Sequence, residues 1–183
     1  MPLSDESCTV PWVRVERLSE SHDREAFSCG RESIDRWFRE EASDQDRQGN
    51  VATWACVDAE GAVCGFFACR THVISVPPSL SNTRRRRWGV NEEGLAPALL
   101  IAKLGLDRAH HGRGIGAELL SEALRVCVDA SDQVACKLIA VDAFDEELVG
   151  FYEKAGFVRL GATRLLFTVK AARALICGER VPR

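Results

Sequence analysis

The segment Leu104–Leu120, LGLDRAHHGRGIGAELL, constrains the fold more than any other part of this chain. It ends a nearly continuous apolar run, ALLIAKLGL, the pattern of a strand buried on both faces. It leads into a helix pattern with Ile115, Leu119, Leu120, Ala123, Leu124 and Cys127 on one stripe. A buried strand, a loop of three closely spaced glycines and an amphipathic helix together make one building block of an α/β protein. Glycine lets backbone N–H groups approach a ligand that a side chain would hold away. The dipole of the following helix adds partial positive charge at the same point. Arg108, His110, His111 and Arg113 crowd the glycines, so the loop suits an acidic ligand.

The remaining chain supplies a sheet around this block. WVRVERL alternates apolar and polar residues and predicts a first strand. Ile34, Trp37, Phe38 and Ala42 then recur at helical spacing, which predicts a helix from about Gly30. VATWACVD and VCGFFACRTHVI, joined by a short glycine-containing turn, form a hairpin pattern. From Ser75 to Pro97 the chain carries Pro77-Pro78, four consecutive arginines (Arg84, Arg85, Arg86, Arg87) and Gly94. That reads as an irregular loop, longer than compact domains usually hold, and tilts it toward function or mobility. KLIAVDAF predicts a second buried strand, and EELVGFYEKAG a short helix stopped by Gly156. RLLFTVKAARALI closes with a strand and a last helical turn. With no internal repeat and no linker, the expectation is one domain over 1–183, a mixed sheet with helices on its faces.

Composition narrows the class. Hydrophobic residues make up 46% and charged residues 28%, which excludes a membrane-resident or disordered chain. No apolar run approaches the roughly 20 residues that cross a bilayer. The opening MPLSDESCTV lacks the basic, apolar and small-residue succession of a signal peptide, so a cytoplasmic protein with no membrane partner is expected. The eight cysteines form no C-x-x-C pair and no His stands at metal-ligand spacing, so reduced, packed thiols and no metal are expected. A net charge of −3 gives no general attraction to nucleic acid, which leaves only the local basic clusters to attract an anion.

Three ligands compete for the glycine loop. A nucleotide triphosphate is set aside, because no Lys follows the final glycine as a Walker A loop needs. Gly112, Gly114 and Ala117 do match G-x-G-x-x-A, with Asp142 available as the ribose acid of a dinucleotide site. Against that, the loop arrives past mid-chain, and DRAHH separates strand end from first glycine where the dinucleotide motif turns directly. The pyrophosphate of coenzyme A fits better. HGRGIG resembles the [QR]-x-x-G-x-[GA] motif of the GNAT family of N-acetyltransferases, with His111 standing where Gln or Arg is usual. The resemblance implies the GNAT fold: a mixed central sheet, helices on both faces, and splayed central strands at the acetyl-CoA site. It assigns pyrophosphate to His111, Gly112, Arg113, Gly114, Ile115 and Gly116, and pantetheine to the backbone of Leu104, Gly105 and Leu106. FYEKAGF resembles the family's F-Y-x-x-x-G-F segment, whose tyrosine commonly protonates the departing thiolate. That implies a general-acid role for Tyr152, the only tyrosine present.

A narrower resemblance spans about His22 to Ile176. The ordered set FSCG, PALLIAKLGLD, VDAFDEELVGFYEKAGF and RLLFTVKAARAL is similar to TacT-type toxins of type II toxin–antitoxin systems. It implies acetylation of the α-amine of aminoacyl-tRNA, a ribbon-helix-helix antitoxin partner and a homodimer. From the residues alone, FSCG also reads as a helix entry capped by Ser28. An α-amine has a pKa of about 7.7–8.0 against about 10.4 for Lys, so it needs no strong base, and the central strand offers no His or Glu. Arg84–Arg87 would meet tRNA phosphates or form a solvated loop, and Trp88 would stack on a base or anchor that loop. Two other readings stay open. One is acetylation of a small-molecule amine or protein N-terminus; the other is a non-catalytic acyl-CoA-binding or DNA-binding regulator.

Overall fold

The structure, a computed structural model, describes residues 10–178; Cys8 and the rest of the opening segment read above lie outside the described residues. Two compact units emerge: the chain up to Phe67 with Lys103–Leu120, and Ala68–Ala102 with the chain from Ser121 onward. Strand order along the sheet is β1 (Arg14–Arg17), β2 (Ala52–Val57), β3 (Val63–Ser75), β4 (Leu95–Leu106), β5 (Leu138–Asp142), β7 (Arg164–Thr168), β6 (Val158–Arg159).

In the first unit, β1 (Arg14–Arg17) pairs antiparallel with β2 (Ala52–Val57). The connection between them holds α1 (Glu32–Arg36), a π-helical turn (Trp37–Glu41) and α2 (Ala42–Arg47). Trp37, Phe38 and Ala42 are buried, as their spacing predicts. They close on Phe66 of β3 (Val63–Ser75): Phe38 stacks on it at 3.9 Å, and Phe27 meets it edge-on at 5.3 Å. The other face of β3 is covered by Leu119 of α4 (Ile115–Gln133), which approaches to 3.2 Å of where a Gly65 Cβ would stand. Gly105, on β4 (Leu95–Leu106), has a packing reason to be glycine: a Cβ there would lie 2.7 Å from the Phe66 ring.

In the second unit, β4 pairs parallel with β5 (Leu138–Asp142), β5 antiparallel with β7 (Arg164–Thr168), and β7 with the short β6 (Val158–Arg159). One face buries Ile74, Ala98, Leu100, Leu138, Ala140 and Leu166 together with Trp88 of α3 (Asn82–Trp88). On the opposite face of β3, Cys69 meets Cys127 of α4 with sulfurs 3.9 Å apart. Helices α5 (Glu146–Lys154) and α6 (Val169–Ile176) complete the unit. The expected mixed sheet with helices on both faces is therefore observed.

Three local readings change. The Ser75–Pro97 stretch is not irregular throughout, because α3 lies within it. Ser81 Oγ accepts the Arg84 N–H at its start, and Gly89, at φ +71°, ends it. Ser28 does not cap α1, whose N-cap is Arg31 with no side-chain cap bond; the Ser28 hydroxyl donates to Asp35 instead. The closing helical turn is a full helix, α6, capped by Thr168. Among the described residues no cysteine is in a disulfide, and Cys29, Cys56, Cys64, Cys69 and Cys127 are buried, whereas Cys177 is exposed. Among the described residues no helix is long and apolar enough to cross a membrane.

Candidate functional site

The glycine loop belongs to the first unit and is built from the end of β4. Asp107 caps the short 3₁₀ turn Arg108–His110 by accepting the Ala109 N–H at 2.9 Å. The His111 ring lies 2.9 Å from the Leu106 carbonyl, which can only accept, so Nε2 carries the proton and donates. Gly112 and Gly114 both have φ of +76°, while Arg113 between them does not have positive φ. Alternation of this kind turns successive N–H groups toward one side, the geometry of an anion nest. The backbone N–H groups of Gly112, Gly114, Ile115 and Gly116 have no hydrogen-bond partner among the described residues. Those of Ile115 and Gly116 are orphan donors of the first turn of α4, a 19-residue helix with a full dipole behind them.

No atom comes within 4 Å of where a Cβ would stand at Gly112 or Gly114, so the concavity is open. These residues fit a pyrophosphate group. The structure gives the His111 Nε2 proton to Leu106, so that donor is spent within the loop. The pairing of β4 with β5 runs only over Ala98–Ile101, which leaves the Leu104–Leu106 backbone beyond the paired register. That is where an amide chain could pair with a strand edge.

The Phe27–Gly30 turn, bonded to this loop through Ser28 and Asp107, rests on a buried carboxylate. Burial alone would raise the Asp35 carboxyl, but hydrogen bonds from Cys29, Ser28 and Gly30 outweigh it and hold the group below its ordinary value.

Tyr152 belongs to the second unit, on α5. Its ring is 6% exposed and packs against Phe151 and Phe157 at 5.2 and 5.4 Å. The hydroxyl has no hydrogen-bond partner among the described residues. Thr53 Oγ1 is the one buried side-chain polar atom there that is sealed without a partner, so the Tyr152 oxygen still meets the surface. Burial pushes the phenol up to about 12, and it stays protonated at neutral pH.

Sequence reading did not bring together a row of polar groups in the second unit. Arg164 grips Asp142 with Nε and one amino group (2.7 and 2.6 Å) and reaches His72 Nε2 with the other at 2.7 Å. Arginine can only donate, so His72 is neutral and protonated at Nδ1. Burial first, then Arg164 and Arg70, lower its pKa, with Asp142 opposing. The only sequence signal was the alternation that puts Asp142 and Arg164 opposite each other in register. Asp142 is thus committed to a cross-strand ion pair. On α3, Arg84, Arg86 and Arg87 are exposed and Arg85 is half-buried. None of the four has an ion-pair partner among the described residues, although Arg84 lies 5.8 Å over the Trp88 ring. Trp88 is buried, so it anchors the segment and is not available for stacking on a base.

The model of the acetyltransferase (GNAT) family matches residues 15–157. A tRNA-acetylating toxin from Mycobacterium tuberculosis is 32% identical over 164 residues, covering 87% of this chain and 94% of the relative. The structure of AtaT complexed with acetyl-methionyl-tRNAfMet superposes with a TM-score of 0.77 at 23% identity, covering 88% of this chain and 98% of that one. A tyrosine-to-phenylalanine mutant of the AtaT toxin, bound to acetyl-CoA and to the C-terminus of the antitoxin AtaR, superposes with a TM-score of 0.73 at 22% identity, covering 88% and 96%.

Proposed function

The chain belongs to the acetyltransferase (GNAT) family, and from that premise we propose that it is a toxin that acetylates the α-amine of aminoacyl-tRNA, blocking its use in translation. The observation that carries the enzymatic half is the set of unpartnered N–H groups of Gly112, Gly114, Ile115 and Gly116 at the head of α4. The acceptor rests on the relative named for tRNA acetylation and on the toxin seen with an acetylated aminoacyl-tRNA.

In this reading one domain over 1–183 works in the cytoplasm. Gly112, Arg113, Gly114, Ile115 and Gly116 hold the pyrophosphate, His111 shapes the loop through its bonds to Leu106 and Arg108, and the Leu104, Gly105 and Leu106 backbone pairs with pantetheine. When bound, acetyl-CoA supplies an acetyl group activated as a thioester. As the amine nitrogen bonds to the acetyl carbon and the carbon–sulfur bond breaks, Tyr152 would give its phenolic proton to the departing sulfur and regain one from the proton that the amine sheds, leaving the amide and the free CoA thiol. The acceptor amine, with a pKa of about 7.7–8.0, is substantially neutral without a dedicated base. A ribbon-helix-helix antitoxin and a second copy of the chain are the proposed protein partners.

The test is transfer of labelled acetyl from acetyl-CoA into total charged tRNA, with deacylated tRNA as control. Label is expected in the charged pool alone. Label in neither pool, with CoA still bound, would replace tRNA by free amines or protein N-termini.

Arg84–Arg87 are proposed to meet the tRNA backbone. Each phosphate contact contributes roughly 0.7–0.9 to the slope of log affinity against log salt. Replacing all four by glutamine is expected to flatten the tRNA-binding slope by about 3, with acetylation of a small amine unaffected. An unchanged slope assigns the run to another partner.

A further inference from the structure

The FSCG turn has no part in the chemistry above, yet the first unit ties it closely to the cofactor loop. Asp107 uses one oxygen for the Ser28 N–H at 3.0 Å and the other for the Ala109 N–H at 2.9 Å. The Arg108 N–H returns to the Ser28 carbonyl at 2.9 Å, so both backbone groups of Ser28 are bonded to residues 79 and 80 positions away. Behind the turn, Asp35 is 4% exposed and accepts the Ser28 hydroxyl and the Cys29 N–H, both at 2.8 Å. Phe27 is wedged against Phe38 and Phe66 at 5.1 and 5.3 Å. Gly30, at φ +85°, lets the Arg108 side chain pass at 3.1 Å from where its Cβ would stand.

The tie continues forward into the cradle. His110 and His111 donate their backbone N–H groups to Asp107 and Arg108, and the His111 ring donates to Leu106. Gly112 follows at once. From Phe27 to Gly112 there is an unbroken series of contacts that starts on a buried carboxylate and an aromatic cluster. Nothing lies within 4 Å of where a Cβ would stand at either of the cradle's two positive-φ glycines.

We propose that Asp35, Ser28 and Asp107 form a brace that holds the glycine loop in its coenzyme A-binding conformation, with Asp107 as the positioning residue that joins turn to loop. The proposal rests on reading the loop as the coenzyme A cradle. An unbraced loop spends only a fraction of its time competent, and apparent affinity falls by that fraction. A loop competent about one-tenth of the time binds about tenfold more weakly.

The test compares Asp107→Asn, the milder Ser28→Ala, and Asp58→Ala as control. Asp58 also accepts two backbone N–H groups, from Glu60 and Ala62, but through one oxygen and in the β2–β3 turn, so alanine is the change that removes them. Calorimetry with CoA itself is expected to give a Kd raised about tenfold for Asp107→Asn and about threefold for Ser28→Ala, with Asp58→Ala unchanged. With no ligand present, Asp107→Asn should speed amide hydrogen exchange at 109–112, and kcat at saturating acetyl-CoA should stay within about twofold. If Asp107→Asn lowers Tm as Asp58→Ala does but leaves CoA affinity and exchange at 109–112 alone, the brace is only a stabilising contact and the proposal is overturned. Failure of the unaltered chain to bind CoA would instead overturn the cradle reading. The exchange comparison would then still decide whether Asp107 orders the loop.

Discussion

Replacing Tyr152 by phenylalanine is expected to lower kcat by roughly 10²–10³-fold while CoA affinity and Tm stay where they are. The stability half follows from what the hydroxyl does not do. It has no hydrogen-bond partner among the described residues, so its removal orphans nothing, while the ring contacts with Phe151 and Phe157 are kept. The rate half depends on the proton. A phenol raised to about 12 looks a poor donor to a thiolate whose conjugate acid is near 8.5 in water. The desolvation that raises the phenol acts on thiols in the same direction, however. Cys29 and Cys64 of this chain are pushed to about 11, with burial the leading cause in each. A desolvated leaving thiolate is therefore nearly matched to Tyr152, and transfer costs little.

The pH profile carries a sign. The active form is the protonated phenol, so activity should not fall near pH 10 but persist to about 12 for as long as the fold survives. A raised folded-state pKa also means that the stability linked to Tyr152 is complete below about 10 and is lost as pH climbs toward 12. A descending limb near 10 in kcat, or a phenylalanine variant with unchanged turnover, would remove Tyr152 from the role of acid.

What the sequence revealed and what it hid divide along a physical line. The β4–loop–α4 block was legible because burial on both faces and the Ile115, Leu119, Leu120, Ala123 stripe are local patterns, and these residues are buried as read. Gly156 stops α5 with φ +102° for the same local reason. Helix α3 was not legible. Seven residues with four arginines show no apolar period, and only the Ser81 cap and Gly89 mark its ends. The FSCG turn was misread because the Ser28 hydroxyl donates to Asp35 of α1 instead of capping a helix N–H, and the Ser28 backbone bonds to Asp107 and Arg108, far along the chain. His72 and Arg164, 92 positions apart, show nothing in sequence of their bond across the sheet. Among the proposed site residues, the glycines were found by spacing, whereas the use of His111 Nε2 on Leu106 needed coordinates.

The loop's own glycines give the second large effect. Gly112→Ala with Gly114→Ala is expected to weaken CoA binding by at least about 100-fold with a small change in Tm. An L-residue in the left-handed region costs roughly 1–2 kcal/mol, and nothing within 4 Å of either position would clash with or pack on an added methyl group. The chain therefore relieves the strain by turning φ negative, which spoils the alternation and sends the N–H groups of Gly112, Gly114 and Ile115 in different directions. Folding is spared because the strain is released, and binding is lost because the nest is gone. Gly49→Ala separates strain from site. Gly49 has φ +75° and equally open surroundings, but it closes the C-terminal end of α2, where its N–H donates to Asp46. It should lower Tm at least as much as the double variant while CoA binding stays intact. If the double alanine variant still bound CoA as the unaltered chain does, backbone capture at this loop would be wrong, and side chains such as Arg113 would have to hold the pyrophosphate.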